Sequence, residues 1–257
     1  MYLWKCWRNT RVRFVVILIL AATCQFQVHS QALVIDKFAS TGISVIQDPA
    51  RIEGYWQALA DQIGLSFLFP CLFIMGFGSL SPGDEFAHGT ADFLLTRPRS
   101  RRYFIWTSWL TGALEILTIA LVYVSVIFVT AIWVTRTVYT WKLLAMVLPI
   151  FILGLVFYSP VCLMTALERS GRKGYGSGLG LMILYSLLIA LFRARWGIHL
   201  PTPTALMRPF WNMVNGATGI HTWAAASQSV IAPMIGWSLF AVGCPLLAQL
   251  YIERTDV

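Results

Sequence analysis

Polar side chains are scarce in this chain, and three groups of them have types and spacing that could do chemistry. The richest is Ser81-Pro-Gly-Asp-Glu-Phe-Ala-His-Gly-Thr-Ala-Asp-Phe-Leu-Leu-Thr-Arg-Pro-Arg-Ser-Arg-Arg102, where carboxylates give way to a basic cluster. Wound as a helix at about 100° per residue, Phe86, Ala87, Thr90, Phe93 and Leu94 share one side. Asp84, Glu85, His88, Asp92 and Thr96 share the other. Pro98 ends that helix, and the arginines through Arg102 anchor the following segment at anionic headgroups. Two readings fit this amphipathic helix. It rests on the membrane surface, or it docks a soluble partner that hydrogen-bonds Glu85 and Asp92, carboxylates being ill suited to an anionic surface.

The second group surrounds Glu115, the one acidic residue inside the long apolar runs. Ser108, Thr111 and Thr118 fall on its face at spacings of three and four and make a polar stripe that must face protein. Counting twelve residues from Tyr103 at 1.5 Å each puts Glu115 about 18 Å deep, near mid-bilayer. A substrate path or dimer interface accounts for it, as does an interhelical hydrogen bond. The third group is Gln25, Gln27, His29 and Gln31. It lines an outward vestibule or faces neighbouring helices.

Other chemistries lack their residues. There is no G-x-x-x-x-G-K-S/T to cradle nucleotide phosphates and no H-E-x-x-H, and the four histidines lie far apart. Five single cysteines without a C-x-x-C pair predict packing residues, neither disulfides nor a metal site. The glycines Gly174, Gly176, Gly178 and Gly180 make two small-x-x-x-small steps, which suit close helix packing better than ligand binding.

The elements that must position these groups follow from composition. Of 257 residues 58% are hydrophobic and 12% charged, about half the charge of a soluble domain. Most of the chain must therefore face lipid, where a backbone satisfies itself only as helix or closed barrel. Six stretches reach spanning length: Phe14 to Ile35, Ile63 to Leu80, Tyr103 to Thr135, Leu143 to Leu167, Tyr175 to Phe192 and Trp223 to Ile252. The expected fold is an all-α polytopic membrane protein, one domain over residues 1–257. A cleavable signal peptide ending near Ser30 would leave five spans; apolar residues resuming at Ala32 favour an uncleaved first span.

The net charge of +8 reads as topology and gives no case for nucleic acid. With the amino terminus inside, twelve Lys and Arg fall on inner segments (Lys5, Arg8, Arg11, Arg13; Arg97, Arg99, Arg101, Arg102; Arg169, Arg172, Lys173; Arg254) and seven on outer ones. Both termini are thus predicted cytoplasmic. Trp4, Trp7, Trp106, Trp109, Trp133, Trp141, Trp196 and Trp223 lie near the proposed span ends, as an interfacial belt would. The outer segments Asp36 to Gln62 and Arg193 to Thr222 are long enough to fold on the surface.

Glu85-x-x-x-Gly89-Thr90-x-Asp92-Phe93-Leu94-Leu95-Thr96-Arg97-Pro98-x-Ser100-Arg101 resembles the segment after the second span of ABC-2 type transporter permeases. Trp4-Lys5-x-Trp7-Arg8-x-x-Arg11-x-Arg13-Phe14 is similar to that family's amphipathic lead-in helix, and six spans with a bulky last outer loop extend the likeness over the chain. Arg99 departs from it, standing where the family more often has an apolar residue. The resemblance implies six transmembrane helices, an N-terminal amphipathic helix and a cytoplasmic coupling helix between spans two and three. It further implies an exporter subunit in the plasma (inner) membrane, with no catalytic, metal or cofactor site of its own. A second permease chain, identical or not, would pair with it, and ATP would sit on separate ATP-binding subunits. Glu85, Gly89, Thr90, Asp92, Phe93, Leu94, Arg97, Pro98 and Arg101 would couple the two. Read from the residues themselves, Glu115, Thr111, Thr118 and Gln25 line a substrate path or bond between helices. By analogy the cargo is amphipathic or lipophilic. The competing classes are a noncatalytic regulatory or immunity membrane protein, and an intramembrane enzyme using Glu115.

Overall fold

In a bilayer the backbone of a long apolar run has no water to bond, so it closes its own hydrogen bonds along a helix. The computed structural model of the protein shows this for five long helices: α1 (Tyr2–Ala39), α2 (Pro98–Thr135), α3 (Val147–Glu168), α4 (Gly171–Trp196) and α5 (Ile220–Thr255). The structure describes residues 2–39, 67–68, 70–77, 83, 85–86, 89, 98–135, 144, 146–197 and 220–255. Side chains are described for these except at 2–3, 28–39, 98–101, 131, 134–135, 220–232 and 255. Among the described residues there is no strand, and each long helix has the length and apolar character to cross a membrane. The described part of the expected second span, 70–77, is helical, with Cys71, Ile74, Met75 and Phe77 buried. The expected surface segments between 40 and 62 and between 198 and 219 lie outside the described residues.

Three helices are far longer than a membrane requires. α1 and α2 have 38 residues each and α5 has 36, about 54 to 57 Å at 1.5 Å per residue, against about 30 Å of hydrocarbon. The lead-in and the first span, expected as successive elements, are one continuous helix, α1. No proline or glycine interrupts residues 2–39, so nothing in the sequence obliges a break.

α3 is the hub, touching α2, α4 and α5, while α1 packs on α2. Ile17, Ile74, Ile116, Tyr123, Leu153 and Tyr158 meet in the main core. By contrast only 11% of the apolar stretch of α4 is buried. Its Leu184, Leu187 and Leu191 face outward, as lipid-facing leucines do.

Glycines set two of the closest approaches. Gly174 and Gly178 are buried against α3, where an added Cβ would lie 2.6 Å from the Thr165 nitrogen and 3.0 Å from the Val161 Cα. The packing role expected of the glycine steps holds for this pair. Gly176 and Gly180 face open space, because a helix turns successive positions two apart to opposite sides.

The turn joining α3 to α4 is two residues long. Arg169 takes the left-handed conformation at φ 50° and ψ 31°, and Ser170 is extended at φ −150°. A Cβ in that left-handed region costs about 1 kcal/mol, which is why glycine is usual there. Arg169→Gly is therefore expected to raise stability by about 0.5 kcal/mol, the gain being trimmed by the added freedom of the unfolded chain. Thermal unfolding in detergent, followed by tryptophan fluorescence, checks it; a lower midpoint would show that contacts of the Arg169 side chain outweigh the strain.

The indoles divide into two sets. Trp4, Trp133 and Trp196 are exposed, at 65%, 83% and 57%, toward helix ends as a belt requires. Trp106 and Trp109, expected in that belt, point inward instead: Trp106 Nε1 donates to Gln249 Oε1 at 2.8 Å and Trp109 Nε1 to Ser159 Oγ at 2.9 Å. These positions lie on the faces of α2 that pack against α5 and α3. Cys6, Cys71, Cys162 and Cys244 are buried and unbridged, the packing role expected of them, and Cys24 is half-buried.

Candidate functional site

One end of the bundle gathers most of the charge. The first turns of α1, α2 and α4 meet there with the last turns of α3 and α5. Three contacts fix the arrangement. Lys5 Nζ of α1 lies 2.8 Å from Glu85 Oε1, Arg102 of α2 pairs with Glu253 of α5 at 2.8 Å, and Gly83 sits so close to Gly171 that a Cβ would come within 2.5 Å of its Cα. Both ends of the described chain thus lie at the end that also holds Gly83, Glu85 and Phe86.

That short segment is clamped from four sides. Glu85 is 3% exposed and receives a second contact from Lys5 Nζ to Oε2, at 3.1 Å. Phe86 meets Phe104 of α2 edge to face at 6.0 Å, and both belong to a cluster with Ile105, Ala166, Ala248 and Ile252 from α2, α3 and α5. Lys5 keeps 43% of its side chain exposed, so the cation reaches water while the carboxylate does not. The Arg102–Glu253 pair is by contrast open to solvent, and such a pair contributes little to stability.

The single amphipathic helix expected between Asp84 and Thr96 is corrected on two points. Glu85, placed on its partner-facing side, turns inward to Lys5. Gly89 adopts φ +67° in a turn, its N–H bonded to the Phe86 carbonyl at 3.2 Å. A left-handed residue cannot continue a right-handed helix, so the helical turn at Glu85 and Phe86 ends there. Residue pattern does not reveal this break, because glycine permits the left-handed conformer without requiring it. Thr90, Asp92, Phe93, Leu94 and Arg97 lie outside the described residues; Pro98 opens α2 as its first residue, where a missing N–H costs nothing. Arg101 follows in the first turn.

Further along the bundle, Glu115 is 3% exposed and accepts a hydrogen bond from Thr10 Oγ1 of α1. Its second oxygen, Oε2, has no partner. Thr111 is buried and bonds its own helix through the Thr107 carbonyl at 2.7 Å. Thr118, expected on the inward stripe, is exposed and bonds the Leu114 carbonyl at 2.9 Å. A threonine that caps its own backbone in this way can face lipid without an unpaired hydroxyl. Gln25 is fully buried, and neither its amide nitrogen nor its oxygen finds a partner.

Thr10 lies beside Arg11 and three residues from Arg13, and both arginines are exposed. An arginine facing mid-bilayer costs about 3 kcal/mol or more, so these two favour the headgroup edge.

The family model described as ABC-2 family transporter protein matches residues 5–189. The chain belongs to the ABC-2 transporter family. The matched region starts at Lys5, includes Glu85, Gly89 and Glu115, and ends inside α4; α5 lies beyond it. No curated protein matches the chain. As an ABC-2 family member with five long apolar helices it is an integral membrane protein, a transport subunit by family.

Two partners of buried acids in this ABC-2 chain are not marked as such by residue pattern: Lys5 stands in the basic lead-in, and Thr10 belongs to no motif. Each pairs with an acid 80 or 105 residues away, a separation that spacing along one helix cannot reveal. The available signal was thermodynamic: two acids in an apolar chain each require a partner, and α1 carries cations and hydroxyls on several faces.

Proposed function

We propose that this chain is the permease subunit of an ATP-driven ABC-2 exporter in the plasma (inner) membrane, crossing it six times with both termini in the cytoplasm. Two permease chains work with separate ATP-binding subunits, and the ATP resides on those. The segment from Glu85 to Arg101 receives their motion. The observation that carries this reading is the Lys5–Glu85 ion pair, with its carboxylate buried, which ties the start of that segment to α1. Phe86 against Phe104 ties it to α2, and Gly83 against Gly171 to the α3–α4 turn. A push on Thr90, Asp92, Phe93, Leu94, Arg97, Pro98 or Arg101 therefore has rigid helices to act on, with Gly89 as the joint. Glu85 acts on the permease side of that joint, as a positioning residue. Family membership and the gathering of basic residues at the same end support the cytoplasmic assignment.

The test is affinity purification from the native membrane in mild detergent, with ATP-dependent export measured in proteoliposomes. A near-equal amount of an ATP-binding protein is expected; a clean preparation with neither ATPase nor export would overturn the reading in favour of a stand-alone regulatory or immunity protein.

Glu115, Thr111 and Gln25 line the route by which an amphipathic or lipophilic solute moves between α1 and α2. Support comes from the unpaired Glu115 Oε2, Ser108 Oγ and Gln25 amide, all buried on the facing sides of these helices. Structural polar groups would be paired. Glu115→Leu is accordingly expected to raise stability by about 1 kcal/mol while cutting export tenfold or more. The Thr10 hydroxyl keeps the Cys6 and Trp7 carbonyls, at 3.2 and 3.3 Å, as acceptors. A less stable variant with normal export would assign Glu115 to packing alone.

A further inference from the structure

A cleft of about 290 Å³ opens between α1, the helical stretch 70–77 and the start of α4. Its walls are apolar: Val16 from α1 and Leu72 and Phe73 from 70–77 contribute, and they are 58%, 41% and 53% exposed. Among the described residues one cation lines it, Arg13. Arg13 is exposed and makes no ion pair or hydrogen bond among the described residues. Tyr175, also in the lining, has its hydroxyl engaged with the Leu72 carbonyl at 3.2 Å and so braces the wall without offering a free polar group.

The polarity of the cleft has a direction. α1 runs away from the Lys5–Glu85 end, the stretch 70–77 runs toward it, and α4 starts at Gly171 beside Gly83. Arg13, two helical turns from Lys5, therefore lies at the charged end, and Val16, Phe73 and Leu72 extend toward the middle of the bundle. Exposed apolar walls continuing from a single unpaired cation at the headgroup level match one kind of molecule: an anionic phosphate at one end with hydrocarbon behind it. The volume suits a glycerol–phosphate region, with the acyl chains lying along the lipid-facing walls.

We propose that this cleft is a binding site for an anionic phospholipid, held by Arg13 at the phosphate and by Val16, Leu72 and Phe73 along the chains. A bound lipid would bridge α1 and the stretch 70–77. An arginine facing the headgroup level unpaired is attracted to the phosphodiester by a charge-assisted hydrogen bond, and the apolar chains supply the remainder by burial. The site is independent of how the ATP-driven reading stands, because its occupancy can be read without transport.

The experiment uses the full chain, purified with whatever subunits accompany it from nanodiscs of equal phosphatidylglycerol and phosphatidylcholine, and counts retained lipids by native mass spectrometry. Wild type is expected to retain phosphatidylglycerol about tenfold over phosphatidylcholine. Arg13→Gln should erase that preference, whereas Arg11→Gln, which removes an exposed cation outside the cleft, should keep it. Gly76 also lines the cleft, and an added Cβ there meets nothing within 4 Å. Gly76→Leu should therefore fill the site and lower retention of both lipids without unfolding the chain. Equal retention by wild type and Arg13→Gln overturns the proposal. So does displacement by millimolar inorganic phosphate, which would mark a free-phosphate site. A photo-crosslinker at Phe73 that joins two chains instead of labelling lipid would show a second copy covering this face, and overturns it as well.

Discussion

Glu85→Ala is expected to reduce ATP-dependent export at least tenfold while the ATP-binding subunit still co-purifies. Export in proteoliposomes and the stoichiometry of the purified complex check this together. The dissociation of the two readouts follows from geometry: Glu85 is 3% exposed and its carboxylate faces Lys5, so its loss removes no surface that a soluble partner touches. What is lost is the tie between α1 and the segment leading to Gly89. Lys5 is left behind, but with 43% of its side chain exposed it recovers water, so the stability cost is about 1 kcal/mol, less than for a fully buried pair. Lys5→Ala should be the harsher change for stability, because it strips the buried carboxylate of its cation. A Glu85→Ala complex that loses its ATPase would return Glu85 to the docking surface, and one that exports normally would remove it from coupling.

Gly174→Leu is expected to yield no folded protein, and Gly174→Ala to lower stability by about 3 kcal/mol. At this position the atoms in the way are Thr165 backbone, with the nitrogen 2.6 Å from an added Cβ, and backbone of a helix cannot step aside as a side chain can. α3 and α4 would have to separate along the length that Gly178 and Val161 also close. Gly176→Ala provides the internal control. Its Cβ would meet open space, and alanine gains about 0.8 kcal/mol of helix propensity over glycine. Thermal midpoints of the two alanine variants in detergent should therefore move in opposite directions. A shared direction would show that the helix pair is not closed at Gly174.

Charged and apolar patterning alone made the membrane helices legible. Six runs with at most one charge each exceed any soluble core, and four of the five long helices contain the runs expected of Tyr103 to Thr135, Tyr175 to Phe192, Trp223 to Ile252 and Phe14 to Ile35. α3 begins at Val147, a few residues inside the run expected from Leu143. The family was legible too, through the residues from Glu85 to Arg101 and the basic lead-in, because a motif is carried by residue type and order.

Tertiary structure decided the rest. Which way Glu85 points depends on Lys5, 80 residues earlier, and helical periodicity extends only over neighbours three and four apart. The end of the helical turn at Gly89 rests on a backbone angle that glycine permits but does not require. Glu115 meets Thr10 because of how α1 and α2 are staggered, a relation between two helices that neither sequence segment contains. Residue types determined that this chain lives in lipid as helices and which family it joins; the three-dimensional packing determined which of its few charges meet, since a buried charge takes its partner from whatever helix lies beside it.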